Sequence, residues 1–528
     1  MKFSTAFAAM LFTASSAFSA PPTQPPHNPY LADSNYNIGH ANSAQTDSTA
    51  DAGPIGPTRQ LRDDEMRYQD LGMFNLAYLI SGPDKNAKRV VWTSGSQFLA
   101  KLDYDTFDLV ATLRLPGNDH ADALTHEQFI KAIDSKSSFD AKWATARKSG
   151  YPSLSSVYTL LDKDNQYVAA GKGFVRIYGD ATPGDHLSGI VVKAQWDQPA
   201  NITGESIGMN MTFDGHIVLA TADGYVVALS RDFKDVQIIR LPGAEEEIPR
   251  QPKGVAWIRN SFAVDEKGGI YIASQQHLHK VVWTGSRLST SEKDGAWNEP
   301  FRNSLGRGTG STPTLVGFGS DPDKLVVITD GDKLMNVTAY WRDEIPADWK
   351  QLPDAPSRRI AGLRPANFGN PKLAAAQSEQ SVVSTGYGML VVNNEPRNVP
   401  AAIQADRLSK NMFIGYLAYL KEYQPHGVQK FEWDPKTRTL NPAWVNNDVS
   451  DINGVPFVST GSGIVYMSGA RNDQWTLEGI DWATGQAKFH YVLGGARFNS
   501  FYSQPVIDTN GRVMLSGLYG PLRLQPKQ

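Results

Sequence analysis

From about residue 72 to the C-terminus, short apolar or alternating runs are separated by Asp/Gly/Asn turns. This is the pattern of antiparallel hairpins. The first unit reads MFNLAYLIS, RVVWTSG, FLAKLDYD and LVATLRLPG over residues 73–117. Comparable units occupy 157–180, 209–243, 261–285 and 306–349. A sixth starts at 380–394 and resumes at 428–444, a seventh spans 455–495, and a shorter last one spans 504–525. Strands follow strands without crossover helices, so a parallel α/β sheet is excluded.

Units of four strands recurring at about 55 residues predict an all-β fold, a single β-propeller of seven or eight four-stranded blades. The last unit is one strand short. The segment 53–61 is expected to supply the missing strand and close the ring, which would remove open sheet edges. Two partly helical insertions interrupt the pattern, at about 118–150 and 395–427. In the first, Thr125 and Gln128 form a capping box and Gly150 stops the helix. Either insertion could be a lid over the central funnel or decoration on one rim.

The first 70 residues follow a different pattern. Residues 1–20, MKFSTAFAAMLFTASSAFSA, combine Lys2, a short apolar run and small residues, as a signal peptide does, with cleavage after Ala17 or Ala20. An exported protein, periplasmic or secreted, is expected, with no membrane span after signal removal. Residues 21–70 are rich in Pro, Ser, Asp and Asn and are expected to be irregular. Within them YNIGHANSAQTDS (36–48) carries His40, Gln45 and Asp47, and could lie across the domain and contribute to a site. The propeller domain is placed at 71–528.

The chain has 528 residues, a formal charge of −3 and no cysteine. Without a basic stripe, nucleic-acid binding is not expected. Without Cys, disulfides, thiolate metal sites, Cys nucleophiles and covalently attached c-type haem are excluded.

The richest concentration of polar groups lies at 306–349, GRGTGSTPTLVGFGSDPDKLVVITDGDKLMNVTAYWRDEIPADW. Asp330 and Asp332 sit in ITDGD and Asn336 follows on the next strand. Glu379 precedes the sixth unit's first strand, and Asn393 and Asn394 end its second. Carboxylates with amide oxygens suit a hard cation such as Ca²⁺, so Asp330, Asp332, Asn336 and Asn394 are candidate metal ligands. Glu379, Asp330 and Arg307 are the candidate catalytic groups, for water activation and oxyanion support. The competing reading is that T-D-G-D is simply a hairpin turn. Asp343 and Glu344 are adjacent acids, with Arg358 and Arg359 close enough in sequence to pair with them. His277 and His279 would share a face if QQHLHK is extended, and diverge if a turn falls there. Twelve tryptophans, several ending blade strands, suit packing between blades or carbohydrate stacking. The G-x-S-x-G and H-E-x-x-H signatures are absent.

Two phrases carry a resemblance. GIDWATGQAKF (479–489) resembles the A-x-D-x-x-T-G-x-x-x-W blade phrase of quinoprotein dehydrogenases, with Gly for Ala and Phe for Trp, and KLDYDTFDLVATLRLPG (101–117) is similar to the YVTN-type phrase. The chain thus resembles the quinoprotein/YVTN-type propeller superfamily, which implies a fold and a Trp that docks one blade on the next. The docking phrase occurs cleanly once, and a vicinal disulfide is impossible, so a quinone is the less favoured cofactor beside Ca²⁺. Lactonase-type propellers resemble the Glu/Asn/Asp grouping around a cation. The functional expectation is a small-molecule site in the central funnel, serving cation-assisted lactone or ester hydrolysis. The alternatives are a non-catalytic binding or scaffold propeller and a quinone-dependent dehydrogenase-like protein. The sequence leaves open whether it is an enzyme at all.

Overall fold

The computed structural model describes residues 23–74, 77–95, 97–116, 124–150, 157–250 and 256–527. The expected signal peptide lies outside the described residues. Eight sheets, each built around a four-stranded antiparallel meander or its equivalent, form an eight-bladed β-propeller. The innermost strands are Ala77–Ile80, Thr159–Leu161, Ser206–Met211, Ala263–Val264, Thr314–Val316, Val383–Thr385, Phe457–Ser459 and Val506–Ile507.

The third blade shows why the sequence folds this way. Its first three strands are almost fully buried, because each is sandwiched between the neighbouring blades. Its outermost strand, Val236–Arg240, alternates half-buried and exposed positions. The Asp-Gly turns between them place Gly215 and Gly224 at φ 95° and 90°, where a Cβ would be strained. Aromatic side chains lock adjacent blades. Trp92 stacks on Tyr167 at 5.4 Å, Trp341 meets Trp433 edge-on at 5.6 Å, and Trp283 Nε1 donates to Asp214 at 2.7 Å. Trp482, next to the phrase's Asp481, packs beneath the Lys430 ammonium of the sixth blade, 4.4 Å from its ring, and its carbonyl accepts from Trp444 Nε1. Phe489, which stands at the phrase's docking position, packs instead on Tyr466 and Tyr491 of its own blade.

The ring closes with an N-terminal strand, though with a later one than the sequence pattern indicated. Met66–Tyr68 pairs antiparallel with Leu522–Leu524 as the outermost strand of the eighth blade. The stretch before it runs along the seventh blade instead, where Arg59–Gln60 pairs parallel with Tyr491–Val492. Residues 53–61 carry Pro and Gly, which suit a covering strap better than a ladder strand.

The two insertions share one apolar core. His126–Asp134 has the expected capping box, in which Thr125 Oγ1 accepts from Gln128 N and Gln128 Oε1 accepts from Thr125 N. Phe139–Ser149 ends at Gly150, φ 74°. Phe139 and Trp143 of that second helix pack on Phe413 of the Arg407–Tyr416 helix, and Tyr416 Oη donates to the Gly150 carbonyl.

Gly520 tests the closure. A Cβ there would lie 1.6 Å from the Gln69 carbonyl oxygen, whereas one on Gly189 would meet only Ala181 at 3.6 Å. Gly520→Ala should destabilise by about 1–3 kcal/mol, the usual cost of overpacking, and lower the melting temperature, while Gly189→Ala stays close to wild type. Equal melting temperatures would place the closure elsewhere.

Candidate functional site at the centre of the ring

The innermost strand of a blade has one unpaired edge, and eight such edges face the propeller axis. Residues 35–49 satisfy them by making one circuit inside the ring. Ile80 N donates to Tyr36 O, Leu161 N to Asn37 O, Val264 N to Ser43 O and Leu315 N to Ala44 O. Ser384 N then donates to Thr46 O and Val458 N to Asp47 O. Asn210 Nδ2 adds the third blade through Ser43 O, and Asn35 Nδ2 reaches Ile507 O of the eighth. Such a tight circuit needs unusual backbone. His40, Ala41, Gln45 and Asp47 all have left-handed φ, between 55° and 73°. Non-glycine residues held this way store strain, and strain of this kind clusters at functional sites.

On one face of this plug lies a cavity of about 600 Å³. All eight blades contribute to its wall at or just before the start of the innermost strand: Tyr78, Thr159, Ile207, Asn260, Gly310, Ser381, Val455 and Gln504. Tyr36 and His40 come from the plug, and Leu408 and Asn411 from the Arg407–Tyr416 helix. The 395–427 insertion therefore does cover the funnel. Phe501 and Tyr502, also on the wall, are two further consecutive residues with left-handed φ.

The chemistry of the floor centres on His40. Its Nδ1 lies 2.8 Å from Asp47 Oδ1, and Asp47 is fully buried. Asp47 Oδ1 also accepts from Gln504 Nε2, whose Oε1 accepts from Tyr36 Oη at 3.1 Å. A buried carboxylate holding Nδ1–H fixes the imidazole tautomer with its lone pair on Nε2. Among the described residues Nε2 has no hydrogen-bond partner, and His40 lines the cavity. The Tyr158 ring stacks on the imidazole at 5.9 Å. Burial raises the Tyr36, Tyr78 and Tyr158 phenols above their ordinary range, so they stay neutral donors.

The residues singled out from sequence fall in three places. Glu379 reaches the cavity rim, ion-paired with Arg259 at 2.7 Å. Arg307 sits beside it, where its carbonyl accepts from Arg259. Asp330, Asp332 and Asn336 lie together at a hairpin between the fifth blade's middle strands. There Asp330 accepts from the backbone N–H of Asp332 and Asn336 and from Asn336 Nδ2, while Asp332 pairs with Arg302 at 2.8 Å. Asn394 is buried apart from them, accepting from Ser378 and donating to the Asp451 carbonyl. Among the described residues no group of three or more His, Asp or Glu side chains gathers as a metal cluster. His277 and His279 do share one strand, His277–Trp283, but His277 faces Glu247 and His279 bonds Ser274 in the core. Asp343 pairs with Lys267 and Lys280, while Arg359 donates to the Asp343 carbonyl. Among the described residues no tryptophan lines the cavity. His40 and Asp47 were visible in the sequence as a non-repetitive polar stretch before the first blade. Their partnership was not, because it depends on the left-handed turns of the plug.

Asp330 gives a measurable electrostatic signature. Desolvation raises its carboxyl from 3.8 to about 7, and the hydrogen bonds from Asn336 and Asp332 offset only part of that. Between those values the native state keeps a proton that the unfolded chain has released, so stability falls as pH rises from about 4 to about 7 and then levels off. Asp330→Asn removes the titration. Wild-type melting temperature should therefore drop relative to Asp330→Asn between about pH 4 and pH 7, and parallel curves would contradict the assignment.

No family profile matches the chain. Among solved structures it is similar to the quinohemoprotein alcohol dehydrogenase ADHIIG of Pseudomonas putida HK5, at TM-score 0.51 and 13% identity, over 93% of this chain and 77% of that one. It is also similar to the quinohemoprotein alcohol dehydrogenase of Comamonas testosteroni, at TM-score 0.47 and 12% identity, over 92% and 77% of the two chains. The likeness to ADHIIG, at 13% identity, is one of fold. Among curated sequences, an uncharacterized protein of Archaeoglobus fulgidus is 32% identical over 507 residues, 95% of this chain and 89% of that protein. An eight-bladed propeller that matches this archaeal protein along nearly its whole length belongs to the same family.

Proposed function

We propose that the chain is an exported protein whose central cavity binds a small molecule, and that His40 moves a proton there. The observation that carries this reading is the buried His40–Asp47 pair, held in left-handed backbone on the cavity floor. Uptake of a proton at Nε2 creates an imidazolium beside a carboxylate that is already buried and oriented, so the charge is stabilised as it forms. The reaction this arrangement serves best is hydrolysis of an ester or lactone. His40 removes a proton from water as the water attacks the carbonyl, and returns it to the leaving alkoxide. Export is supported by the signal-like residues 1–20, and among the described residues no helix is long and apolar enough to cross a membrane.

The donor set does not fit a bound divalent cation, nor the quinone such a cation would accompany. Glu379 is committed to Arg259, Asp406 caps its own helix by accepting from Ser409 N, and Asp330 is saturated by its own turn. No step is therefore routed through either group.

Hydrolysis of p-nitrophenyl acetate and δ-valerolactone, followed from about pH 5 to pH 9, tests the reading. Wild type should exceed the uncatalysed rate, and Asp47→Asn and His40→Gln should each lower kcat about 10²–10⁴-fold with little change in KM, the usual contribution of a positioned acid–base group. Imidazole ¹⁵N shifts should report the Nδ1–H tautomer in wild type and its loss in Asp47→Asn. Unchanged rates in both variants would remove His40 from the chemistry.

A further inference from the structure

The cavity's hydrogen-bonding inventory specifies more than its volume does. Its wall carries as many acids as bases: Arg259 is ion-paired with Glu379, Asp406 and Arg407 are adjacent in sequence, and Asp47 stands off the wall behind the neutral His40. A ligand with net charge would meet no free counter-charge on that wall, and its desolvation would go uncompensated. The neutral groups are mixed in role. Ser381 Oγ accepts from Thr312 N and Ser503 Oγ accepts from Ser516 N, so each hydroxyl keeps its own hydrogen to donate. Asn260 Nδ2 is used by the Thr309 carbonyl and Gln380 Nε2 by the Asn453 carbonyl, which leaves both amide oxygens as acceptors. His40 Nε2 is a third acceptor.

Donors and acceptors thus share one wall. Carboxylates and phosphates offer mainly acceptors, and ammonium groups only donors. Hydroxyl groups offer both at one atom, and satisfy such a wall without leaving a buried group unpaired. Between the polar groups stand the rings of Tyr158, Phe501 and Tyr502 and the aliphatic Ile207 and Leu408. A wholly polar open-chain ligand would waste these faces, whereas the C–H face of a saturated ring packs against them.

We infer that the central cavity takes a neutral cyclic polyol, a ligand of one or two sugar-like rings, stacked on Tyr158 and Tyr502 and hydrogen-bonded by Ser381, Ser503, Asn260 and Gln380. The inference rests on the reading of this cavity as a ligand site. A cavity of 600 Å³ lies within the range of small-molecule pockets and accommodates that size. His40 then faces a ring hydroxyl or an ester carried on the ring.

The test is ligand-observed NMR and calorimetry on the full-length protein. The neutral probes are methyl β-D-glucopyranoside, maltose and myo-inositol. Glucuronate, glucosamine and cyclohexylmethanol serve as anionic, cationic and apolar comparisons. At least one neutral probe should bind with a dissociation constant below about 1 mM. That affinity should fall at least about tenfold in Leu408→Trp, which narrows the mouth from an exposed position, and about fivefold in Asn260→Ala. Circular dichroism should confirm that both variants are folded. If a charged or apolar probe binds in a Leu408-sensitive way while the neutral polyols do not, the polyol assignment is overturned and the ligand site stands. If no probe binds, or if binding ignores Leu408→Trp, both the polyol and the ligand-site reading fail.

Discussion

Unpaired backbone at the axis is the constraint on which this molecule depends. Eight inner strands arrive at one channel, each with a free edge of N–H and C=O groups, and buried groups of that kind must find partners. Here the partner is the chain's own N-terminal segment. It threads the channel once and is bonded by blade after blade, from Tyr36 at the first to Asp47 and Thr49 at the seventh. Further on, the same segment straps the seventh blade and supplies the outer strand of the eighth. One stretch of irregular sequence therefore closes the ring from outside and fills it from inside.

That dual role explains why the site lies where it does. A loop that turns through eight blades inside a narrow channel cannot keep ordinary dihedrals, and four of its residues are left-handed. The hydrogen bonds of the surrounding blades hold that strain in place. In return His40 and Asp47, seven positions apart, are fixed at 2.8 Å with the imidazole on the cavity floor. The helical insertions complete the enclosure. Their shared core of Phe139, Trp143 and Phe413 sets the Arg407–Tyr416 helix over the mouth. Rigid scaffold, strained plug and cap together enclose the cavity.

The fold was legible in the sequence because blades repeat. Buried strand, D-G turn and alternating outer strand recur often enough that the period itself names the architecture, and the Thr125–Gln128 box sits where its local chemistry indicated. The site was legible only in part. Glu379, singled out by its position before an inner strand, lies on the cavity rim, and the segment holding His40 and Asp47 stood out by its lack of repetition. The Asp330 group drew attention for a local reason, since Asp, Gly and Asn at a hairpin serve turn geometry and metal ligation equally well in sequence. What separates those readings is where the carboxylate's hydrogen bonds go, and in Asp330 they return to its own turn. The His40–Asp47 contact depends on four φ angles: His and Asp adopt the left-handed region more readily than most residues, but Ala41 and Gln45 carry no such preference.

The central claim is that the plug is integral to the folded ring rather than laid upon it. Native-state hydrogen exchange at the amides of Val264, Leu315, Ser384 and Val458 measures this directly, because their acceptors are plug carbonyls. If the plug is integral, these amides exchange only through global opening, with the same free energy as amides inside the third blade's Ile217–Thr221 strand. Exchange at these four amides that is orders of magnitude faster than in that strand would show that the plug leaves the channel independently, and would contradict the account.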